Sequence, residues 1–145
     1  MKVRAFFNPS VAQLRPDASL SEAAALMRVG ELGSVVICDA DKLIGILTET
    51  DVVRAIADRR DPKSTFVADY MSRDPVTADI KDDSVVAAAR MASNRFRHLP
   101  VVEHGRVIGM ISARDLLRLE AWPAARRHGT PPARPPGLPP GAAET

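Results

Sequence analysis

Two hydroxyl–x–x–carboxylate pairs, Thr48 with Asp51 and Ser112 with Asp115, are the residues of this chain best placed to do chemistry. Each follows an apolar run broken by one glycine, Leu43-Ile44-Gly45-Ile46-Leu47 before the first and Val107-Ile108-Gly109-Met110-Ile111 before the second. A hydroxyl that precedes a helix accepts from the free amides of its first turn, and a carboxylate three residues on favours the helix dipole and can complete a capping box. Capping alone accounts for both pairs. The same arrangement also suits a ligand, because a helix start favours anions such as phosphate and an ionised aspartate accepts from the paired hydroxyls of a ribose. Arg97, His98 and Arg114 accompany the second pair, whereas the positions 64 residues earlier hold Gly33, Ser34 and Thr50. Arginine makes charge-assisted, often bidentate contacts to phosphate, so the second pair is the one expected to carry a phosphorylated ligand.

The elements that must position these residues are themselves duplicated. An offset of 64 relates Asp51 to Asp115 and Gly45 to Gly109, and it also relates Val3 to Val67, Phe6-Phe7 to Tyr70-Met71 and Met27 to Met91. In the first copy, Val3, Phe6 and Phe7 have short-helix spacing before Asn8-Pro9. Ser19 and Glu22 fit a capping box at the start of a helix that Gly30 is expected to close. Apolar runs at 35–38 and 43–47 then read as strands joined by a hairpin at 39–42, and a helix over 51–60 stops at Asp61-Pro62. Asn94 occupies the place of Gly30 in the second copy, and Glu103-His104-Gly105-Arg106 forms its hairpin. The reading is an α/β (α+β) protein of two pseudo-symmetric helix–strand–strand–helix units, 3–61 and 62–122, used in duplicate.

Composition narrows the function classes. The chain has 145 residues, 46% of them apolar but only 4% aromatic, so its core must come from aliphatic residues, alanine and methionine. One cysteine, Cys38, excludes an internal disulfide and a cysteine zinc cluster, and its apolar surroundings suggest a buried small hydrophobe. Histidines at 98, 104 and 128 lack metal-ligand spacing, and no nucleophile-elbow or phosphate-loop pattern occurs, so neither an enzyme nor a catalytic cofactor is expected. The formal charge of +2 resides in residues 123–145, where Arg126, Arg127 and Arg134 face Glu144; the remainder balances, which argues against nucleic acid. That same segment holds seven of the twelve prolines, which reads as a disordered tail. With no signal-like or membrane-spanning run, a cytoplasmic protein without a membrane partner is expected.

Gly45-Ile-Leu-Thr48-Glu-Thr-Asp51, Gly109-Met-Ile-Ser112-Ala-Arg-Asp115, His98-Leu99-Pro100-Val101-Val102 and the alanine-rich helices at 23–27 and 87–91 together resemble a pair of CBS domains, a Bateman module, over residues 3–120. The resemblance implies two units about a pseudo-two-fold axis, a homodimer, and a cleft that binds an adenosine-containing regulatory ligand: AMP, ADP, ATP or S-adenosylmethionine. It implies ribose on Asp115 and Asp51, adenine against Thr77-Ala78 and Val101, and phosphates near Ser112, Arg114, Arg97 and His98, with Thr48 as the first copy's hydroxyl. An unidentified protein would be regulated. The alternative is a scaffold with vestigial clefts whose proline-rich tail recruits a partner.

Overall fold

The computed structural model describes residues 1–9 and 11–117; the proline-rich segment and the end of the last helix expected from sequence lie outside them. In chain order the elements are strand β1 (Gln13–Leu14), helix α1 (Leu20–Gly30), strands β2 (Ser34–Asp39) and β3 (Lys42–Thr48), and helix α2 (Glu49–Ala57). The pattern returns as strands β4 (Ser72–Arg73) and β5 (Ala78–Asp79), helix α3 (Ser84–Asn94), strands β6 (His98–Glu103) and β7 (Arg106–Ser112), and helix α4 (Ala113–Leu116). Short 3₁₀ turns at Val3–Ala5 and Val67–Asp69 open the two copies. The strands form two sheets, ordered β1-β2-β3-β4 and β5-β6-β7. This is the mixed α/β architecture of two pseudo-symmetric units.

Local chemistry sets the element ends. Ser19 accepts from the Glu22 amide at 3.1 Å while Glu22 accepts from the Ser19 amide at 3.1 Å, the reciprocal box read from sequence. Both hairpins turn through two residues with positive φ, Ala40 and Asp41 (45° and 66°) and His104 and Gly105 (51° and 78°), the mirror-image turn whose twist matches paired strands. Two expectations need correction. Gly30 and Asn94 are the last helical residues, and the left-handed caps fall one residue later, on Glu31 (φ 52°) and Arg95 (φ 56°). Cys38 is half-buried at the edge of a cluster instead of fully enclosed, and burial together with nearby Asp41 pushes its thiol pKa up.

The two units exchange their opening segments. Val67, Tyr70 and Met71 pack in the first core with Leu20, Met27, Val35, Ile37, Leu47 and Ala55. Conversely, Val3 lies in the second core with Ala87, Met91, Leu99, Val101 and Ile111, and Phe6 and Phe7 pack against it. Hydrogen bonds repeat the exchange at the same offset. The Val3 amide donates to the Asp82 carbonyl at 2.9 Å, and the Val67 amide to the Ala18 carbonyl at 2.8 Å. Arg54 fastens the first exchange by donating to the Tyr70 carbonyl at 3.1 Å, while the Tyr70 hydroxyl donates to Asp58 at 2.8 Å.

The motif glycines now have a physical reason. A Cβ on Gly45 would stand 2.4 Å from Met71 Sδ, and one on Gly109 would stand 2.4 Å from the Asn8 carbonyl oxygen and from the Phe7 ring. Each glycine is therefore the place where the other copy's opening segment lies flat across a strand. A third apolar cluster, Val36, Ile46 and Met110 with Val11, Cys38, Leu43 and Val107, joins the two sheets.

Candidate functional site

The exchanged segments and the strand ends together enclose two clefts. The first, about 300 Å³, is walled by Ile46, Thr48, Thr50, Asp51, Ser72, Pro75, Val76 and the run Arg95-Phe96-Arg97-His98. The second, about 870 Å³, takes Asn8, Val11, the run Glu31-Leu32-Gly33-Ser34, Glu49, Met110, Ser112, Ala113, Arg114, Asp115 and Leu117. Advancing the first cleft's residues by 64, or setting them back, reproduces the second for all but Val76. The clefts are thus the two pseudo-symmetric copies of one site, and their volumes fall in the usual range of about 300–1,000 Å³ for small-molecule pockets. Thr48, Thr50, Arg97 and His98 border both.

Each cleft has a carboxylate fixed at a helix start, but the two are held differently. Asp51 is 7% exposed and accepts from the Thr48 amide at 2.8 Å and the Thr48 hydroxyl at 3.2 Å, while Arg54 pairs with its other oxygen at 3.4 Å. Asp115 is half-buried; it accepts from the Ser112 amide at 2.9 Å, and its own amide donates to the Ser112 hydroxyl at 3.1 Å. Capping is therefore real at both positions, and Asp115 retains the larger free acceptor capacity.

His98 stands where the clefts meet. A Cβ on Gly33 would be 3.1 Å from its Nε2, so the imidazole lies against that glycine. Burial lowers its pKa below the ordinary histidine value and Arg97 adds to this; Asp115 and Glu49 pull the other way. A lowered pKa favours the neutral ring, which can both donate and accept a hydrogen bond. Among the described residues no three histidine, cysteine or acidic side chains gather to hold a metal, and no helix is long and apolar enough to cross a membrane.

The family model described as the CBS domain matches this chain twice, at residues 3–58 and 67–121. The chain belongs to the CBS-domain family. Protein MJ1225 of Methanocaldococcus jannaschii is 33% identical over 118 residues, and the match covers 81% of this chain but 42% of that protein, so the chain spans less than half of that relative. The CBS domain protein PAE2072 from Pyrobaculum aerophilum, complexed with AMP, has a TM-score of 0.77 at 25% identity, over 83% of this chain and 94% of that one. The CBS domain pair of protein MJ0100, complexed with 5-methylthioadenosine and S-adenosyl-L-methionine, has a TM-score of 0.76 at 25% identity, over 82% and 98%.

Within this CBS pair the structure brings together Thr48, Asp51, Arg97 and His98 in the first cleft, and Arg97, His98, Ser112, Arg114 and Asp115 in the second. It does not bring Thr77, Ala78 or Val101 to either. Ala78 and Val101 are fully buried and are partners across the β5–β6 ladder, and the Thr77 carbonyl is taken by Arg90 at 3.0 Å. Sequence reasoning missed Arg95, Phe96, Glu31, Leu32, Ser72 and Asn8. The signal was present for the first four, since each run follows a helix end, but the left-handed caps that turn them toward the clefts sit one residue beyond the glycine and asparagine that pattern reading selects. Ser72 and Asn8 enter only through the segment exchange.

Proposed function

We propose that this CBS pair is a regulatory module whose clefts bind an adenosine-containing ligand and report its level to another protein. The observation that carries this reading is the repeated combination, in one cleft, of a fixed carboxylate, a hydroxyl, an apolar wall and a guanidinium. Asp51 and Asp115 offer acceptors for a ribose diol; Ile46, Val76 and Phe96, or Val11, Leu32 and Met110, offer surfaces for a base. The AMP bound by the Pyrobaculum aerophilum protein and the methylthioadenosine and S-adenosylmethionine bound by the MJ0100 pair support the ligand class. Regulation would follow if ligand affinity differs between arrangements of a homodimer, shifting the population that a partner meets.

The test is calorimetry of the full chain against AMP, ATP and S-adenosylmethionine. At least one should bind in about the micromolar range, and a folded Asp51→Ala/Asp115→Ala double variant should lose about tenfold or more, the scale of a lost hydrogen bond to a charged group. Absence of heat with all three would overturn this reading and leave the scaffold role.

A further inference from the structure

Positions 31 and 95 are the same place in the two copies, yet they carry opposite charge. Each is the left-handed residue that follows a long helix, and each borders its cleft. Arg95 and Arg97 give the first cleft two guanidinium groups against the single carboxylate of Asp51. Arg54 already lies against that carboxylate at 3.4 Å. Arg4, Arg15, Arg54, Arg60 and Arg90 each have an acidic partner among the described residues, whereas no such ion pair is made there by Arg95 or Arg97. Beside these two cations stands Phe96, 38% exposed in a chain that has few aromatic residues. The second cleft reverses the balance: Glu31, Glu49 and Asp115 bring three carboxylates against Arg97 and Arg114.

We propose, resting on the adenosyl-ligand reading above, that the two clefts divide their ligands by charge. The first holds a phosphorylated adenosine compound, with its phosphate at Arg95 and Arg97. The second holds an adenosyl compound that bears no phosphate. A phosphate dianion entering the first cleft meets two guanidinium groups that have no carboxylate partner among the described residues, the donors best matched to its oxygens. The same dianion in the second cleft meets three carboxylates, and like-charge apposition is an effective means of rejecting a ligand. An uncharged or cationic adenosyl ligand suffers no such penalty there, and Asp115 has acceptor capacity to spare for its ribose. This assignment moves phosphate binding from the second copy, where the sequence pattern put it, to the first.

The repeat supplies its own control for the test. Glutamate already occupies the left-handed conformation at 31 and arginine at 95, so the reciprocal substitutions Arg95→Glu and Glu31→Arg each place a residue whose counterpart tolerates that backbone. Calorimetry of the full chain with AMP and, separately, with adenosine reads out both clefts. Wild type should bind one AMP per chain. Arg95→Glu should weaken AMP by about tenfold or more while changing adenosine affinity by less than about threefold. Glu31→Arg should raise AMP stoichiometry from one to two. Arg95→Gln, read in the same way, covers the case in which the charge reversal does not fold. Two equal AMP sites in wild type, or AMP affinity indifferent to both Arg95 variants, would overturn the division while leaving the proposed function intact. Failure of both AMP and adenosine to bind wild type would overturn the division, and absence of S-adenosylmethionine and ATP binding as well would overturn the proposed function.

Discussion

Replacing Gly109 by alanine tests the segment exchange on which both clefts depend. The backbone at Gly109 is not in the left-handed region, so alanine would be tolerated, and even favoured by about 0.5–1 kcal/mol in a strand, if space were available. Space is not available. The new methyl would stand 2.4 Å from the Asn8 carbonyl oxygen and 2.4 and 2.7 Å from two atoms of the Phe7 ring, all well inside the ordinary contact distance of about 3.5–4.0 Å. The Asn8 carbonyl cannot retreat without giving up its place opposite Met110, where each amide donates to the other's carbonyl at 2.9 Å. Overpacking costs about 1–3 kcal/mol, and two backbone bonds about 1 kcal/mol each. Against the small gain from alanine, the net is about 3 kcal/mol of lost stability. At Gly45 the nearest atoms are Met71 Sδ at 2.4 Å and Cγ at 2.9 Å, the end of a flexible side chain, with the Ser72 carbonyl oxygen at 3.0 Å. Methionine can swing aside, so Gly45→Ala should lose only about 1 kcal/mol. Urea titration of both variants measures the difference, and thermal melting should show Gly109→Ala lower by about 12 °C and Gly45→Ala by about 4 °C, at about 4 °C per kcal/mol for a chain of this size. A Gly109→Ala protein as stable as wild type, or less affected than Gly45→Ala, would refute the crossing of segment 6–8 over the second sheet.

Acidification should act through His98. Its folded pKa lies below the ordinary value of about 6.5, so the unfolded chain binds the extra proton first; stability is full above about pH 6.5 and falls as pH drops toward the lower folded pKa. Urea titrations at pH 7.0 and 5.5 should show this loss, and His98→Gln should flatten it; an unchanged slope in that variant would assign the titration elsewhere. The two capping aspartates should differ as well. Asp51→Ala strands the Thr48 amide and hydroxyl and frees Arg54 from a carboxylate that is 7% exposed, so about 2–3 kcal/mol should be lost. Asp115→Ala removes one amide acceptor at a half-buried site and should cost about 1 kcal/mol, a difference that parallel melts would reveal or contradict.

Most of the fold was legible because its signals are local or periodic. The offset of 64, the Ser19–Glu22 box, the hydroxyl–aspartate caps and the hairpins are each decided within a few residues, by hydrogen-bond satisfaction and turn sterics, and they appear where the pattern places them. The repeat could also announce that Gly45 and Gly109 matter. It could not say why, because the atoms that exclude a Cβ belong to residues far along the chain.

Tertiary structure decided the rest. A duplication states that Val3 and Val67 are equivalent but not which core each enters; only the packed structure shows the exchange, with Val67 in the first core and Val3 in the second. The family resemblance implied adenine against Ala78 and Val101, whereas both are fully buried in the second core and line neither cleft. It gave Arg97 and His98 to one site, whereas packing sets them between two. From the sequence alone came the two carboxylates and their caps. The fold alone set Arg95 and Phe96 opposite Asp51, and Glu31 opposite Asp115, because a cleft between packed units gathers charge from loops that no local pattern connects.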